Sequence, residues 1–150
     1  RIKKLKNGQY DAIILSGAGI YSLNLENEIA QFFLTTEIIP SAGQGIVALQ
    51  CRDGDENIID LLKNINHLPT YYCAIAERGV LKILEGSCDT AVGVFAEIQN
   101  NEIKLEAELF SIDGNERYYE KKVKPIEFAS ELGSEVGKIL KEKSNNSYRK

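Results

Sequence analysis

The stretch EIKLEAELFSI, residues 102–112, decides how the second half of the chain folds. Apolar and polar side chains alternate along it: Ile103, Leu105, Ala107 and Leu109 against Lys104, Glu106 and Glu108. Because successive side chains of a β-strand point to opposite faces, this pattern places one face in a core and the other in water. Residues 102–112 are therefore predicted to form a half-buried strand of an antiparallel sheet.

Strand-like stretches lie on both sides of this one. AVGVFAEI (91–98) and ERYYEKKV (116–123) contain the β-branched and aromatic residues that favour strands. The connections QNNE (99–102) and DGN (113–115) are typical of hairpin turns, the second through its Asp-Gly pair. We therefore expect a three-stranded antiparallel sheet.

Two helices are predicted around this sheet. TYYCAIAERGVLKILEG (70–86) has Thr70 as its expected N-cap and Gly86 as the glycine that ends it. The second helix follows Pro125, and its apolar residues fall on one face that can cover the sheet: Phe128, Leu132, Val136, Ile139 and Leu140. The expected unit is a small α+β domain, a three-stranded antiparallel sheet covered by helices.

The first half of the chain alternates between strand-like and helix-like stretches. DAIIL (11–15) and GIVALQCR (45–52) are typical of buried strands, whereas ENEIAQFF (26–33) and DENIIDLLKNI (55–65) are typical of helices. Asp55 is the expected N-cap of the last of these. This α/β pattern cannot close a complete sheet by itself, and the absence of methionine predicts a piece of a longer protein.

Composition argues against several classes of function. The 150 residues carry a net charge of −4, so a general attraction to nucleic acid or to an anionic membrane is not expected. The apolar runs are far shorter than the roughly 20 residues of a membrane-spanning helix. With three cysteines, no Cys-x-x-Cys pair and the single His67, neither a metal site nor a disulfide framework is expected. Free thiols in a reducing cytoplasm fit this pattern.

The three thiols are the candidate reactive groups. Cys51 lies in a strand-like run and Cys73 on a helix, positions at which a buried and inert cysteine is typical. Cys88 follows the small residues Gly86 and Ser87 at a helix end, so it is either a turn residue or a loop thiol. The residues alone leave both interpretations open, because reactivity depends on thiolate character and on access.

Three blocks of the chain, in order, resemble one protein family. RIKKLKNGQYDAIILSGAGIYSL (1–23), IIPSAGQGIVALQCR (38–52) and AERGVLKILEGSCDTAVG (76–93) are similar to blocks of the porphobilinogen deaminase (hydroxymethylbilane synthase) family. Several independent blocks at compatible spacing make this resemblance more specific than any single motif. It covers nearly the whole chain.

The resemblance implies a domain plan in which this chain is the C-terminal half of a three-domain enzyme. Residues 1–39 would finish the second domain, 40–65 would return to the first, and 66–150 would form the third. The first two domains of the family are similar to periplasmic binding proteins, with the active cleft between them. The catalytic residues are then expected upstream, in the N-terminal half of the same enzyme, and none in this chain.

The resemblance also implies a reaction and a cofactor. The family condenses four porphobilinogen molecules, with loss of ammonia, into hydroxymethylbilane for tetrapyrrole and haem biosynthesis. Its dipyrromethane primer is attached by a thioether to the cysteine that matches Cys88. Further residues match positions that bind the cofactor or line the cleft: Arg1, Ser16, Gly19, Gln44 and Gly45. A cytoplasmic enzyme, monomeric at full length, is expected.

The chain departs from the family pattern at three places. Ser22 stands where a basic residue is common, Ser87 replaces the second glycine before Cys88, and Asp89 follows the thiol. An acidic neighbour disfavours the thiolate. A second class of function therefore stays open, a non-catalytic ligand-binding or regulatory fragment, and a mass increment of two pyrrole units on Cys88 distinguishes the two.

Overall fold

The computed structural model of the protein describes residues 1–85 and 89–149. It contains two compact units, Arg1–Phe33 and Leu34–Lys150, and each is described by itself below. Three residues singled out by the sequence, Gly86, Ser87 and Cys88, lie outside the described residues.

The second unit is built on a three-stranded antiparallel sheet in the order β1-β2-β3. Its strands are β1 (Val92–Gln99), β2 (Glu102–Phe110) and β3 (Arg117–Pro125). Asn100 and Asn101 join β1 to β2 with φ of 52° and 62°, the left-handed pair that a tight hairpin turn requires. All three predicted strands are confirmed.

The core of this unit lies between the sheet and two long helices, α4 (Leu68–Leu84) and α5 (Ala129–Ser144). The four apolar residues of β2 that alternate in the sequence are all fully buried: Ile103, Leu105, Ala107 and Leu109. The two helices approach closely at Gly133, where an added Cβ would lie 2.2 Å from the carbonyl oxygen of Ala76. The predicted α+β domain is confirmed.

The burial of two side chains and the start of one helix differ from the sequence prediction. Phe128 precedes α5 and is 44% exposed, because a one-turn 3-10 helix (Ile126–Phe128) follows β3 and turns this ring outward. Glu108 is buried on the side predicted to be wet, because it pairs with Arg117 across the strands at 2.8 Å. Helix α4 begins at Leu68 with His67 as its N-cap, so Thr70 is not the cap.

The first unit contains two short helices, α1 (Ile2–Lys6) and α2 (Gly17–Tyr21), and a 3-10 turn at Glu26–Glu28. The predicted strand at 11–15 is therefore wrong, and the predicted helix at 26–33 is reduced to that turn.

Residues 34–65 of the second unit contain one helix, α3 (Glu56–Lys63), with Asp55 as the predicted N-cap. The strand predicted at 45–52 is wrong, and within the described residues strands occur only between 92 and 125. A strand needs a neighbour for its N–H and C=O groups, and these stretches have none in the described structure. The periplasmic-binding-protein-like part of the predicted fold is thus not seen here. None of the helices in the described ranges is long and apolar enough to cross a membrane.

Candidate functional site

A buried carboxylate joins three parts of the second unit. Glu77 lies on α4 and is only 4% exposed. Its Oε2 accepts the backbone N–H of Gly43 at 2.7 Å, and its Oε1 accepts that of Ala96 on β1 at 2.9 Å. Burial raises the pKa of this carboxyl group, and the two backbone hydrogen bonds oppose the rise. One side chain therefore ties the segment before α3 to a helix and a strand.

The segment around Pro40 lies along the free edge of the sheet. Strand β1 is an edge strand, so its outward N–H groups need partners from outside the sheet. Val94 donates to the Pro40 carbonyl at 2.8 Å, and Ala96 donates to Glu77. Gly93 permits this contact, because a Cβ there would lie 2.6 Å from the Ile39 carbonyl oxygen. The sheet edge is thereby closed by the chain that leads to Gln44.

The turn at residues 41–46 carries two of the predicted cofactor-binding residues. Gln44 N–H donates to the Ser41 carbonyl at 3.0 Å, and Ile46 N–H donates to the Gly43 carbonyl at 3.0 Å. Gly43 and Gly45 have φ of 77° and 81°, left-handed values that favour glycine. In the described part of the chain the Gly45 N–H has no hydrogen-bond acceptor. The Gly45 N–H is therefore one backbone donor that this turn can offer to a ligand.

A small cavity of about 230 Å³ adjoins the turn. It lies between the start of α4 and strand β1, and its walls include Gln44, Cys73, Glu77 and Phe95. The Gln44 side chain is exposed, so its amide is available for hydrogen bonding.

The remaining described site residues lie in the first unit. Arg1 is exposed and precedes α1, and its guanidinium forms no ion pair with the residues that the structure describes. Ser16 is the N-cap residue of α2 but makes no side-chain capping bond. Gly19 is exposed within α2, and an added Cβ would meet no atom within 4 Å. Packing therefore does not require glycine at position 19.

The two described cysteines differ from the buried residues expected. Cys51 and Cys73 are half-buried free thiols. Burial raises the pKa of the Cys73 thiol, and the nearby Glu77 and Glu97 carboxylates raise it further. His67 is exposed, its Nδ1 lies 2.8 Å from Thr70 Oγ1, and its side chain makes no capping bond to the backbone of α4. A high pKa makes Cys73 a poor nucleophile at neutral pH.

Comparison with known proteins assigns the chain to a family. Residues 71–142 match the family model described as "Porphobilinogen deaminase, C-terminal domain", and residues 1–60 match the one described as "Porphobilinogen deaminase, dipyromethane cofactor binding domain". The chain belongs to the porphobilinogen deaminase family. Curated porphobilinogen deaminases of Prochlorococcus marinus strains NATL1A and NATL2A are each 36% identical to it over 141 residues. This alignment covers 94% of the chain and 45% of each relative, so the chain spans about half their length.

The family models bear on the cofactor. The description of the second one confirms dipyrromethane as the cofactor of this family. The five predicted non-covalent contacts all fall within its match: Arg1, Ser16, Gly19, Gln44 and Gly45. Cys88 falls within the match to the C-terminal domain.

Sequence reasoning missed Glu77 as a functional candidate. A signal was available in the helical spacing. Glu77 falls on the same face of the helix as Cys73, Val80 and Leu84, and these three neighbours are apolar. A carboxylate on such a face must find partners, since an unpaired buried charge is costly.

Proposed function

We propose that the chain is the C-terminal half of a hydroxymethylbilane synthase. In this proposal the whole enzyme condenses four porphobilinogen molecules, with loss of ammonia, into hydroxymethylbilane for tetrapyrrole biosynthesis. The observation that carries it is the ordered match of residues 1–60 and 71–142 to the two family models. The enzyme works in the cytoplasm as a monomer.

The N-terminal half of the same enzyme is the partner that completes the active cleft. Residues 1–39 belong to the second domain, 40–65 to the first and 66–150 to the third, and the first two resemble periplasmic binding proteins. Exposed apolar side chains support this plan, since Ile14 is 71%, Val47 85% and Leu49 59% exposed. Burial of such side chains against added strands favours assembly at about 25 cal/mol per Å². Catalytic residues lie in the N-terminal half and none in this chain.

Cys88 Sγ is the thioether anchor of dipyrromethane. The alternative thiol Cys73 is disfavoured because burial and two neighbouring carboxylates raise its pKa and keep it protonated. Once bound, the cofactor supplies a tethered primer for chain growth. Each unit by itself offers donors that suit acidic groups: the Arg1 guanidinium in the first, and the Gln44 amide and the Gly45 N–H in the second.

Arg1 binds a carboxylate of the cofactor or of the growing chain. A guanidinium suits this task, because its planar donors pair with both oxygens of a carboxylate. Ser16 and Gly19 supply polar contacts to the same ligand. Both are exposed in the described structure, so neither is taken up by packing.

The test is the intact mass of the full-length enzyme and of two matched variants. We expect wild type and Cys51→Ala to carry a covalent increment of two pyrrole units, and Cys88→Ala to carry none. Equal increments in both variants would refute the assignment of the anchor. An unmodified wild-type enzyme with no turnover of porphobilinogen would instead favour a non-catalytic ligand-binding or regulatory fragment.

A further inference from the structure

The turn at residues 41–46 has few internal supports. Two hydrogen bonds close it, from Gln44 to Ser41 and from Ile46 to Gly43. Its glycines at positions 43 and 45 leave the backbone free to adopt other conformations. A fixed orientation of the turn therefore requires a contact from outside, and Glu77 makes one at the Gly43 N–H.

We infer that Glu77 is a positioning residue. Its carboxylate holds the turn of residues 41–46 against α4 and the edge of β1, so that the Gly45 N–H and the Gln44 amide bind a carboxylate of the dipyrromethane cofactor. This rests on the proposed function and adds a residue that the family resemblance did not supply.

The position requires a carboxylate and not merely a polar side chain. Both oxygens of Glu77 accept, one from Gly43 and one from Ala96. A glutamine has a single acceptor oxygen, so its NH₂ group would face one of these two N–H donors. With only 4% of Glu77 exposed, water has little access to repair the mismatch.

The charge of Glu77 is compatible with an acidic ligand nearby. Each of its oxygens is bonded to a backbone N–H, and these bonds offset the negative charge. The donors left for the ligand, Gly45 N–H and the Gln44 amide, belong to the turn itself. Helix α4 thus fixes the turn through Glu77, and the donors of the turn itself bind the ligand.

The first experiment measures the turn directly, by hydrogen exchange of the backbone amides of residues 41–46 in the full-length enzyme. In Glu77→Gln we expect the Gly43 amide to exchange about tenfold faster, the effect of one lost hydrogen bond to a charged group. The control is Glu97→Gln, because Glu97 is exposed on β1 next to Ala96 and its side chain bonds only Lys104 in the described structure. Wild-type exchange at Gly43 in the Glu77 variant overturns the inference.

The second experiment separates positioning from loss of folded protein. Per molecule that carries the cofactor, we expect Glu77→Gln to lower kcat about tenfold and leave the KM for porphobilinogen within about twofold. The reason is that the cofactor is attached covalently. When its contacts with the turn weaken it stays bound, but it occupies the reactive position for less of the time. If the substitution only destabilised the fold, the amount of folded enzyme would fall, but kcat per folded molecule that carries the cofactor would stay unchanged.

A double-mutant cycle tests whether Glu77 affects kcat through the turn of residues 41–46. If Glu77 acts through the turn, Gln44→Ala lowers kcat much less in the Glu77→Gln background than in wild type. Additive effects overturn the inference. Should Glu77→Gln fail to accumulate, Glu77→Asp serves in its place, because it keeps the charge on an arm too short to reach both donors.

Failure of the inference and failure of the proposed function give different results. Wild-type enzyme without cofactor or turnover refutes the proposed function, and the exchange measurement then still shows whether Glu77 holds the turn. Active wild-type enzyme with an unchanged Glu77→Gln refutes the inference alone.

Discussion

The hydroxyl of Tyr148 donates a hydrogen bond to the carbonyl oxygen of Leu84 at 2.9 Å, in a buried position. Leu84 is the last residue of α4, where carbonyl groups have no partner within the helix. Tyr148 reaches it because Asn145 and Asn146 adopt left-handed φ of 44° and 63° and reverse the chain after α5. The polar C-terminal tail thus caps a core helix.

Tyr148→Phe is expected to lower the free energy of unfolding of the second unit by about 1–2 kcal/mol. The ring keeps its packing, since Tyr148 is 3% exposed and phenylalanine has the same shape, but the Leu84 carbonyl loses the hydroxyl donor that it has in the described structure. Urea unfolding monitored by circular dichroism measures the change.

Tyr118→Phe is the matched control for this prediction. The Tyr118 hydroxyl contacts the same tail, 3.0 Å from Ser147 Oγ, but at a half-buried position where water can replace it. We expect a loss of less than about 0.5 kcal/mol. Equal losses in the two variants would contradict the capping role of Tyr148.

Gly133→Ala is expected to destabilise the second unit by about 3 kcal/mol or more, because a new Cβ must push α4 and α5 apart. The added atom would lie 2.2 Å from the Ala76 carbonyl oxygen and 3.1 Å from the Gly79 Cα. Both obstacles are backbone atoms, so no side-chain rotation relieves the clash. Thermal unfolding measures the loss, and Ser134→Ala at the next position should change stability by less than about 0.5 kcal/mol. A Gly133→Ala protein as stable as the control would show that the helices can separate at no cost.

The pH dependence of the free energy of unfolding is expected to show the contribution of the ionised Glu106, which lies on the outer face of the sheet. Hydrogen bonds from Lys104 and Tyr119 lower the pKa of this carboxyl group to about 2. A lowered pKa in the folded state stabilises the protein above the unfolded pKa of about 4.3, and this contribution is lost as pH falls toward 2. Wild type should therefore lose stability relative to Glu106→Gln between about pH 5 and pH 2.

Urea unfolding across that pH range tests this prediction. The exposed Glu127 provides the control, since in the described structure it forms no ion pair. The difference between wild type and Glu127→Gln should stay constant with pH. A constant difference for Glu106→Gln as well would show that the contacts with Lys104 and Tyr119 do not persist in solution.

The sheet and its helices could be predicted because their signals are local. Alternation along residues 102–112 and helical spacing in α4 and α5 each report which face is buried, and the structure buries Leu105, Leu132 and Leu140 completely. The Asn-Asn and Asp-Gly turns are equally local. The strands predicted at 11–15 and 45–52 failed because an apolar run does not specify which strand it pairs with.

The candidate site could be predicted only in part from the sequence. Gln44 and Gly45 were identified through the family resemblance, and that resemblance gave no sign that Glu77 lies behind them. Gly43 and Glu77 are 34 positions apart in the sequence but are joined by a hydrogen bond of 2.7 Å, and no sequence periodicity spans such a separation.

By itself the sequence determined the three-stranded sheet, the two long helices, the family and the thiol proposed to carry the cofactor. These depend on side-chain order along short stretches of chain. Only the tertiary structure decided that Glu77 joins the Gly43 turn to β1 and that Tyr148 caps α4. Both contacts satisfy backbone groups that lack partners at a sheet edge and a helix end, and which distant side chain satisfies them depends on how the folded elements meet.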